Sequence, residues 1–518
     1  MGYSEPTRSA LVRDDATGFE RAATAVGGVS VAGLLLSLAA VLQWARIDDR
    51  FAGVQVATLL GAVLAVAGVG VLALGTLSRL RYADTNPGES VGAGGGLAFG
   101  ALSFVAAGLV ASQTLGFGTV GWLAASVAAA AATTALVVLP REDVGSTFAP
   151  GLFAVALGGV LLGGVVAPGW QWVPANLTGG FTAEVAVPGF AVLGTVLTSW
   201  ASAKAVRGFG VRGREMGAYL LLYATAAGML TVLVFVVALV VEKGFGPVFQ
   251  QFSLANLEWP FVQNGYSLAP ETVNGVWPAI VGTVWLVVGA TLFAVPLGVG
   301  AAVFLTEYAE RGRFTQVVEV ATNALWSTPS VVFGLFGWVF LRPRIANDTT
   351  LLSGMLVLGF MLLPLVLITS REAVKSVPDE YRDASAALGV SQWKTIRSVV
   401  LPAAMPGVIT GVILGIGRIA GETAPLVLVL GGDLQASKAV DVLGKFKFTA
   451  SPPFVANPAL TADSAALPVR IWAIISHGVS GSPAMGWGTA FVLLLVVMAF
   501  YAVGIASRTY FRRKLNYE

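Results

Sequence analysis

The sequence predicts an all-α, polytopic membrane protein that crosses the bilayer about twelve times. Of its 518 residues, 56% are hydrophobic and only 11% are charged, and the mean hydropathy is +0.79. Many apolar runs exceed the roughly 20 residues that a helix needs to span a bilayer. Because lipid offers backbone groups no hydrogen-bond partners, these spans should be helices, and the alternating pattern of a membrane β-barrel is absent.

Hydropathy places the candidate spans in two groups of six. Pro168 and Pro188 interrupt the fifth and sixth spans, which makes these two the least regular. The first six lie near 24–44, 52–77, 93–112, 118–139, 147–168 and 185–205. The second six lie near 217–241, 276–305, 322–341, 351–369, 400–430 and 485–507.

Lysine and arginine are distributed unevenly among the loops that connect these spans. If the N-terminus is cytoplasmic, the inner loops carry most of them, with Arg46, Arg50 and Lys445 among the exceptions outside. The positive-inside rule therefore predicts a multi-pass protein with both termini in the cytoplasm. It also places the loop around Asp383 on the cytoplasmic side.

The basic stretch from Lys204 to Arg214 is the natural boundary between two regions. We predict an N-terminal membrane region of about six helices over 1–210 and a second domain of about six helices over 211–518. The spans of the first region contain almost no charge and show no recognisable chemistry, so its role is unknown. No convincing repeat relates the two halves.

Residue types that carry enzyme chemistry are scarce in this chain. There is no cysteine, and a histidine cluster or triad would have to rest on His477, the single histidine. We therefore predict no metal site and no catalytic residue. The nucleotide-binding pattern G-x-x-x-x-G-K-[ST] is also missing, so the chain should not hydrolyse ATP by that route.

A segment between the tenth and eleventh spans is predicted to fold as a helix–turn–helix. Ser376 can cap its first helix, with Asp379 three residues later as in a capping box. That helix would present Tyr381, Ala384 and Leu388 on one face.

The end of this first helix and the start of the next are also marked in the sequence. Gly389 is a helix stop, and Ser391 can cap a second short helix. Pro402 then sits early in the following span, where its missing N–H costs least. The segment 376–402 would protrude into the cytoplasm, and the small residues at 384–387 would let it enter a groove on a partner.

The order of residues in this segment resembles the EAA loop of ABC importer permeases. The matching residues are Asp383, Ala384, Ser385, Gly389, Leu401 and Pro402. Asp383 stands in place of Glu, and Ser385 in place of the second Ala, and both changes are mild. In that family the loop is where the membrane subunit grips its cytoplasmic ATPase. The resemblance implies the same role for residues 376–402, hereafter the coupling segment, with Tyr381 and Leu388 taking part.

Flanking stretches are similar to the permeases of the phosphate-uptake (Pst) system. Upstream the similar stretches are 278–283, 296–312 and 327–337. Downstream, GRIAGETAP at 417–425 resembles the A-type rather than the C-type subunit. The resemblance covers roughly residues 215–515. It implies a type I ABC importer permease core in the C-terminal half, with an extra N-terminal membrane region.

This resemblance also implies a function and a set of partners. The chain would be the membrane permease subunit of an ATP-driven importer of inorganic phosphate in a prokaryotic cell membrane. Its partners would be ABC ATPase subunits, a second, C-type permease subunit and an extracytoplasmic phosphate-binding protein. The chain itself would bind no cofactor, and the ATPase would use the ATP.

Arg418, Glu422 and Thr423 fall within an apolar run, where a charge is costly and normally faces protein or a water-filled path. Arg418 and Glu422 are four apart, so on a helix they share a face and can pair. They could form a substrate path for an oxyanion or a fixed ion pair that locks packing. The Thr423 hydroxyl could join that path or bond its own helix backbone. Glu307, at the end of another span, is predicted to be a solvated charge.

Three other functions stay open from the sequence. A permease for another oxyanion, such as molybdate, sulfate or phosphonate, would share the coupling segment, although the stretch 418–425 favours phosphate. A secondary transporter would show internal repeats and coupling carboxylates within the membrane. A non-transporting scaffold would fit the nearly charge-free N-terminal region.

Overall fold

The computed structural model is almost entirely helical, which confirms the predicted all-α class. It describes residues 17–174, 179–266, 274–310, 312–430, 438–451, 454–477 and 483–516. By its internal contacts the chain divides into two units, 1–235 and 236–518. The division falls inside one long helix, Gly210–Val248, whereas the predicted boundary after residue 210 lies at the start of that helix.

The first unit contains six apolar helices and most of a seventh. Its helices are α1 Gly18–Val41, α2 Val56–Arg79, α3 Ala93–Leu109, α4 Thr119–Val138, α5 Glu142–Leu162, α6 Ala183–Val206 and α7 Gly210–Val248. A π-helical turn, π1 Val110–Thr114, extends α3. Two antiparallel hairpins pair β1 Arg50–Phe51 with β2 Val54–Gln55, and β3 Gln171–Trp172 with β4 Phe181–Thr182.

Helices α2 and α5 approach closely because glycines line their contact. A Cβ atom on Gly68 would lie 2.8 Å from the carbonyl oxygen of Gly151, and one on Gly158 would lie 2.7 Å from that of Gly61. In a membrane, small residues at a helix contact permit this backbone approach and the dispersion attraction that comes with it. The abundance of glycine, 63 residues, thus serves packing in this unit.

A buried ion pair joins the start of α5 to the end of α6. Lys204 Nζ lies 2.8 Å from Glu142 Oε1, and both side chains are buried. Lys204 also donates to Ser146 Oγ at 2.7 Å, and Glu142 Oε2 accepts from the backbone N–H groups of Gly88 and Gly210 at 2.8 and 3.2 Å. Each buried charge is therefore compensated, and Lys204, the first residue of the predicted basic boundary stretch, is held by Glu142 inside the unit.

The second unit is built around one central helix. Its elements are α8 Pro260–Gln263, α9 Trp277–Val303, π2 Phe304–Tyr308, α10 Arg313–Ser327, α11 Ser330–Phe336, π3 Gly337–Leu341, α12 Arg342–Ile345, α13 Leu351–Lys375, α14 Asp379–Ala387, α15 Gln392–Thr395, π4 Ile396–Val400, α16 Leu401–Ala420, α17 Ala424–Val429, β5 Lys447–Phe448, β6 Val455–Ala456, α18 Leu467–His477 and α19 Pro483–Asn516. The central helix α13 packs against α9 and α16, and α16 packs against α19. Leu286, Leu358 and Leu362 lie in the core between them.

The predicted number of spans is confirmed by helix length and composition. Within the described residues, 11 helices are long and apolar enough to cross a membrane, and one bent helix pair brings the number to 12. Two predicted spans are wrong as continuous helices. The span predicted at 322–341 bends by 102° between Ser327 and Ser330, and the span predicted at 400–430 begins at Gln392 and ends at Ala420.

The α2–α5 contact makes a prediction about adjacent glycines of α5. A Cβ atom on Gly158 would also meet Ala65 N at 2.8 Å, whereas one on Gly159 would meet nothing within 4 Å. We expect Gly158→Ala to destabilise the folded protein by about 1–3 kcal/mol through overpacking. Gly159→Ala is the matched control and should leave stability unchanged or higher. Unfolding of the detergent-solubilised chain measures both, and equal stabilities would contradict the close approach.

Candidate functional site

Helix α14 begins the coupling segment, but Ser376 does not cap it. Pro378 occupies the N-cap position with extended backbone angles, and no side chain caps the helix. Ser376 instead ends α13, and its hydroxyl donates to the carbonyl of Ala373 at 2.8 Å. The predicted capping box is therefore wrong, because the preceding helix runs on and takes up the serine. Asp379 and Glu380 occupy the first turn of α14, where negative charge is favourable.

Gly389 ends α14, as the sequence predicts. Its φ of 70° lies in the left-handed region that glycine adopts without strain. The N–H of Gly389 donates to the carbonyl of Ala386 at 2.9 Å, and that of Val390 to the carbonyl of Ser385 at 3.1 Å. This pair of bonds is the Schellman arrangement, which satisfies carbonyls at the helix end.

The second helix of the segment is not short, as predicted, but continuous with a membrane span. α15, π4 and α16 form one 29-residue helix from Gln392 to Ala420. Ser391 occupies its N-cap position without a side-chain capping bond. Pro402 therefore lies inside this helix, and not near its beginning. The wider π4 turn directly precedes it, where a proline ring would otherwise clash with a preceding carbonyl.

One face of α14 is apolar and exposed. Tyr381 is 52% exposed and Leu388 is 82% exposed, and Ala384 between them is exposed too. Ser385 is buried beneath this face, and its hydroxyl donates to the carbonyl of Tyr381 at 2.9 Å. Asp383 is exposed. The shared face predicted for Tyr381, Ala384 and Leu388 is thus turned away from the core.

Arg382 fastens α14 to the rest of the second unit. Its Nη2 lies 2.8 Å from Glu307 Oε1 in π2, and its Nη1 lies 3.1 Å from Asp379 Oδ1. The same guanidinium donates to the carbonyls of Val377 and Val374 at 2.8 and 3.1 Å. The bond to Glu307 raises the pKa of Arg382 above its ordinary value, so this cation is permanent.

Glu307 was missed as a functional residue by the sequence analysis. Its side chain is only 8% exposed, so the prediction of a solvated charge is wrong. The Gln392 side chain also donates to the Glu307 carbonyl at 2.7 Å, so π2 holds both helices of the coupling segment. The partner, Arg382, is 75 residues away in the sequence, and no local pattern could pair the two.

A charged cleft of 690 Å³ lies behind α14. It is lined by acidic and basic residues together, Glu307, Glu319, Arg371, Lys375, Asp379 and Arg382. Arg371 of α13 pairs with Glu319 of α10 across it. The cleft is therefore cross-linked by two ion pairs, one between α14 and π2 and one between α13 and α10, and its charges largely balance.

Two broken helices meet elsewhere in the second unit. α10 and α11 bend at Thr328 and Pro329, and the Thr328 backbone is extended because a residue before proline avoids the helical region. α16 stops at Ala420, and α17 begins at Ala424. α11 packs on α17 so closely that a Cβ atom on Gly334 would lie 2.6 Å from Pro425 Cα. Non-helical backbone at membrane depth is tolerated only inside protein or along a water-filled cavity.

Arg418 lies beside these breaks in contact with a residue that the sequence did not indicate. Its guanidinium lies 4.4 Å from the ring centroid of Trp326, in cation–π contact. Glu422 Oε1 lies 3.9 Å from Arg418 Nε, a loose ion pair, and Glu422 follows the end of α16 instead of sharing its face. The Arg418 side chain is 37% exposed, and Thr423 makes no side-chain capping bond at the start of α17. The guanidinium can therefore reach an anion.

The side chains that could bind a metal ion are dispersed in the part of the chain that the structure describes. No group of three or more His, Asp or Glu side chains there could hold a metal ion. The guanidinium of Arg418 can contact an anion. The exposed face of α14 can serve as a docking surface.

Comparisons with known proteins match the second half of the chain. Residues 294–517 match the family described as binding-protein-dependent transport system inner membrane component. The chain is 30% identical over 276 residues to the phosphate transport system permease protein PstA of Mycobacterium leprae, covering 53% of this chain and 82% of that protein. It is 34% identical to the phosphate transport system permease protein PstA 1 of Mycobacterium tuberculosis, over 44% of this chain and 69% of that protein. It is 32% identical to the probable ABC transporter permease protein YqgI of Bacillus subtilis, over 44% of this chain and 75% of that protein.

The geometry of Gly389 makes a prediction that separates backbone strain from crowding. A Cβ atom at Gly389 would meet nothing within 4 Å, so any effect of substitution arises from its positive φ. We expect Gly389→Val to cost about 1–2 kcal/mol locally and to speed hydrogen exchange of α14 amides by about 5–30-fold. Asparagine tolerates this conformation, so Gly389→Asn is the control. Equal exchange in the two variants would contradict the role of Gly389 as the helix stop.

Proposed function

This chain belongs to the family of ABC importer permeases, and from that membership we propose that it carries inorganic phosphate across the membrane. It is a multi-pass membrane protein and a transport subunit, and ATP hydrolysis lies in separate subunits. The phosphate assignment draws on the relatives named phosphate transport system permease. The observation that carries it is the Arg418 guanidinium, which is accessible beside two broken membrane helices.

The exposed face of α14 supports docking of an ATPase subunit. Tyr381, Ala384 and Leu388 offer an apolar surface, and Arg382 fixes its direction relative to the membrane helices. Small residues along this face suit entry into a groove, because they keep the helix thin. In this proposal the coupling segment 376–402 lies in the cytoplasm, as do both termini, and the protein lies in a prokaryotic cell membrane.

The remaining partners follow from the same proposal. An importer of this family needs a substrate-binding protein and ATPase subunits. We further propose the type of the second permease and the specificity of the binding protein. The second permease would be a related C-type subunit, and the binding protein would be specific for phosphate. The permease function would lie in residues 211–518, the chain would hold no cofactor, and ATP would be used by the ATPase.

The broken-helix site supports an oxyanion as substrate. A guanidinium matches phosphate in charge and geometry and binds it through paired hydrogen bonds. Trp326 stabilises the guanidinium from one side, and Glu422 attracts it only across 3.9 Å, so an anion can take the place of the carboxylate. The alternative, a fixed ion pair, is less consistent with this long separation and with the exposure of Arg418.

The carboxylate of Glu422 offers a physical basis for choosing phosphate over sulfate. Phosphate keeps a proton near neutral pH, so it can donate a hydrogen bond to a carboxylate, whereas sulfate is fully ionised and cannot. A carboxylate beside the path would therefore accept the first anion and repel the second. Permeases for other oxyanions remain the competing assignment, and this difference makes the two testable.

Uptake by the reconstituted importer tests the function and the docking face together. Proteoliposomes would hold this chain with its candidate second permease and ATPase, and the binding protein and radiolabelled phosphate would be supplied outside. We expect ATP-driven phosphate uptake that molybdate and sulfate do not compete. Leu388→Glu should reduce it at least about tenfold, because docking would bury an unpaired charge.

The matched control for this experiment is Leu80→Glu. Leu80 is 65% exposed at the end of α2 and is not part of the proposed docking face, so its substitution should leave uptake unchanged. Transport of another oxyanion by the wild-type assembly would keep the permease function and overturn the phosphate assignment. Full uptake by the Leu388→Glu assembly would overturn the docking face.

Substitution of Glu422 tests the substrate path. We expect Glu422→Gln to admit sulfate, so that sulfate binds the detergent-solubilised importer, measured without the binding protein, at least about tenfold more tightly than it binds the wild type. The control is Glu372→Gln, because Glu372 pairs with Lys375 on an exposed surface and should not affect selectivity. If the Arg418 pair is only structural, Glu422→Gln will lower the yield of assembled importer while its selectivity stays that of the wild type.

A further inference from the structure

An open apolar groove in the first unit has no part in the functions described above. It has a volume of 500 Å³ and lies between α1, α6 and α7. Its walls include Leu35 and Leu38 of α1, Val196 of α6, and Tyr223 and Ala227 of α7. Along α7 it extends from residue 216 to residue 231, a length of about 22 Å at 1.5 Å per residue. It is therefore a long, narrow slot within the hydrophobic part of the unit.

Two arginines continue the groove beyond one end. Arg207 follows the lining residue Ala203 by four positions, and Arg212 precedes the lining residue Met216 by four. Arg212 lies in α7 four positions from Met216 and so shares its face, whereas Arg207 directly follows the last residue of α6; both stand past the end of the apolar part of the groove. Both are exposed, and neither has an ion-pair partner among the residues that the structure describes.

The basic residues on either side of this pair in the sequence are already held by a carboxylate. Lys204 and Arg214 both contact Glu142, the buried carboxylate at the start of α5. Arg207 and Arg212 are thus exposed cations beyond one end of the groove, without an ion pair among the described residues, and are free to bind an external anion. A slot of apolar side chains that ends in two free guanidinium groups matches a molecule with a hydrocarbon chain and an anionic head.

We propose that this groove binds an anionic phospholipid, with one acyl chain in the slot and the phosphate between Arg207 and Arg212. Basic pockets at the ends of membrane helices recognise anionic head groups through the same contacts.

The dimensions favour a lipid chain over a partner helix. A helix about 10–12 Å across and 22 Å long would occupy roughly 2,000 Å³, several times the 500 Å³ of the groove. An acyl chain is far thinner and can follow the slot along its length. The proposal does not depend on which substrate the second unit carries.

Native mass spectrometry of the full-length chain, released from detergent, tests the proposal. The probes are phosphatidylglycerol and phosphatidylcholine with identical acyl chains. We expect tighter binding of phosphatidylglycerol, and about thirtyfold weaker binding in Arg207→Ala/Arg212→Ala, because each arginine contributes about a factor of five. Arg512→Ala/Arg513→Ala removes two exposed arginines of α19 and is the control for net charge.

A second pair of variants tests the slot itself. Ala227→Phe places a ring among the lining residues and should abolish the binding of phosphatidylglycerol. Ala226→Phe makes the same change one position away, outside the lining, and should leave binding intact. Equal affinity for the two lipids, or equal loss with both arginine pairs, would overturn the head-group contact. Unchanged binding in a folded Ala227→Phe protein would overturn the groove as the site.

Discussion

A hydrocarbon layer offers no partner to a backbone N–H or carbonyl group, and the architecture of this chain follows from that constraint. Long apolar helices satisfy it within themselves. The two breaks, at Thr328–Pro329 and between Ala420 and Ala424, satisfy it by meeting each other inside the second unit. A charged side chain is tolerated there for the same reason, because surroundings that keep unpaired backbone groups out of contact with lipid also keep an arginine out of it. The residues of the proposed substrate path therefore lie where the helices are broken.

The coupling segment is stabilised differently, because it lies outside the long apolar helices and buries few side chains of its own. Its first helix has nine residues, too few to be stable alone. The Arg382 guanidinium compensates for this by binding two carboxylates and two backbone carbonyls at once. Glu307 is the less exposed of the two carboxylates. A docking surface that must transmit movement needs a fixed orientation, and the Arg382–Glu307 pair supplies it.

Local features of the fold could be read from the sequence, and distant pairings could not. Hydropathy located the spans, and Gly389 marked a helix end, because both depend on neighbouring residues. The prediction that Ser376 caps α14 was wrong, because α13 continues up to this serine, and that alternative is equally local. Glu307 with Arg382 and Glu142 with Lys204 are separated by many residues, so no periodicity connects them. Trp326 carried no signal either, because its importance arises only from the fold around Arg418.

The continuous helix from Gln392 to Ala420 has a mechanical meaning. It runs for 29 residues, or about 43 Å, from Gln392 in the coupling segment to Ala420, two residues past Arg418. A rod of this kind is stiff along its axis, so in the proposed importer a push at the Gln392 end would be transmitted to the arginine. Its softest point is the π4 turn, near the end that is pushed, where the rod can pivot. In the proposed importer this helix would act as a lever, with its short arm in the coupling segment and its long arm carrying Arg418.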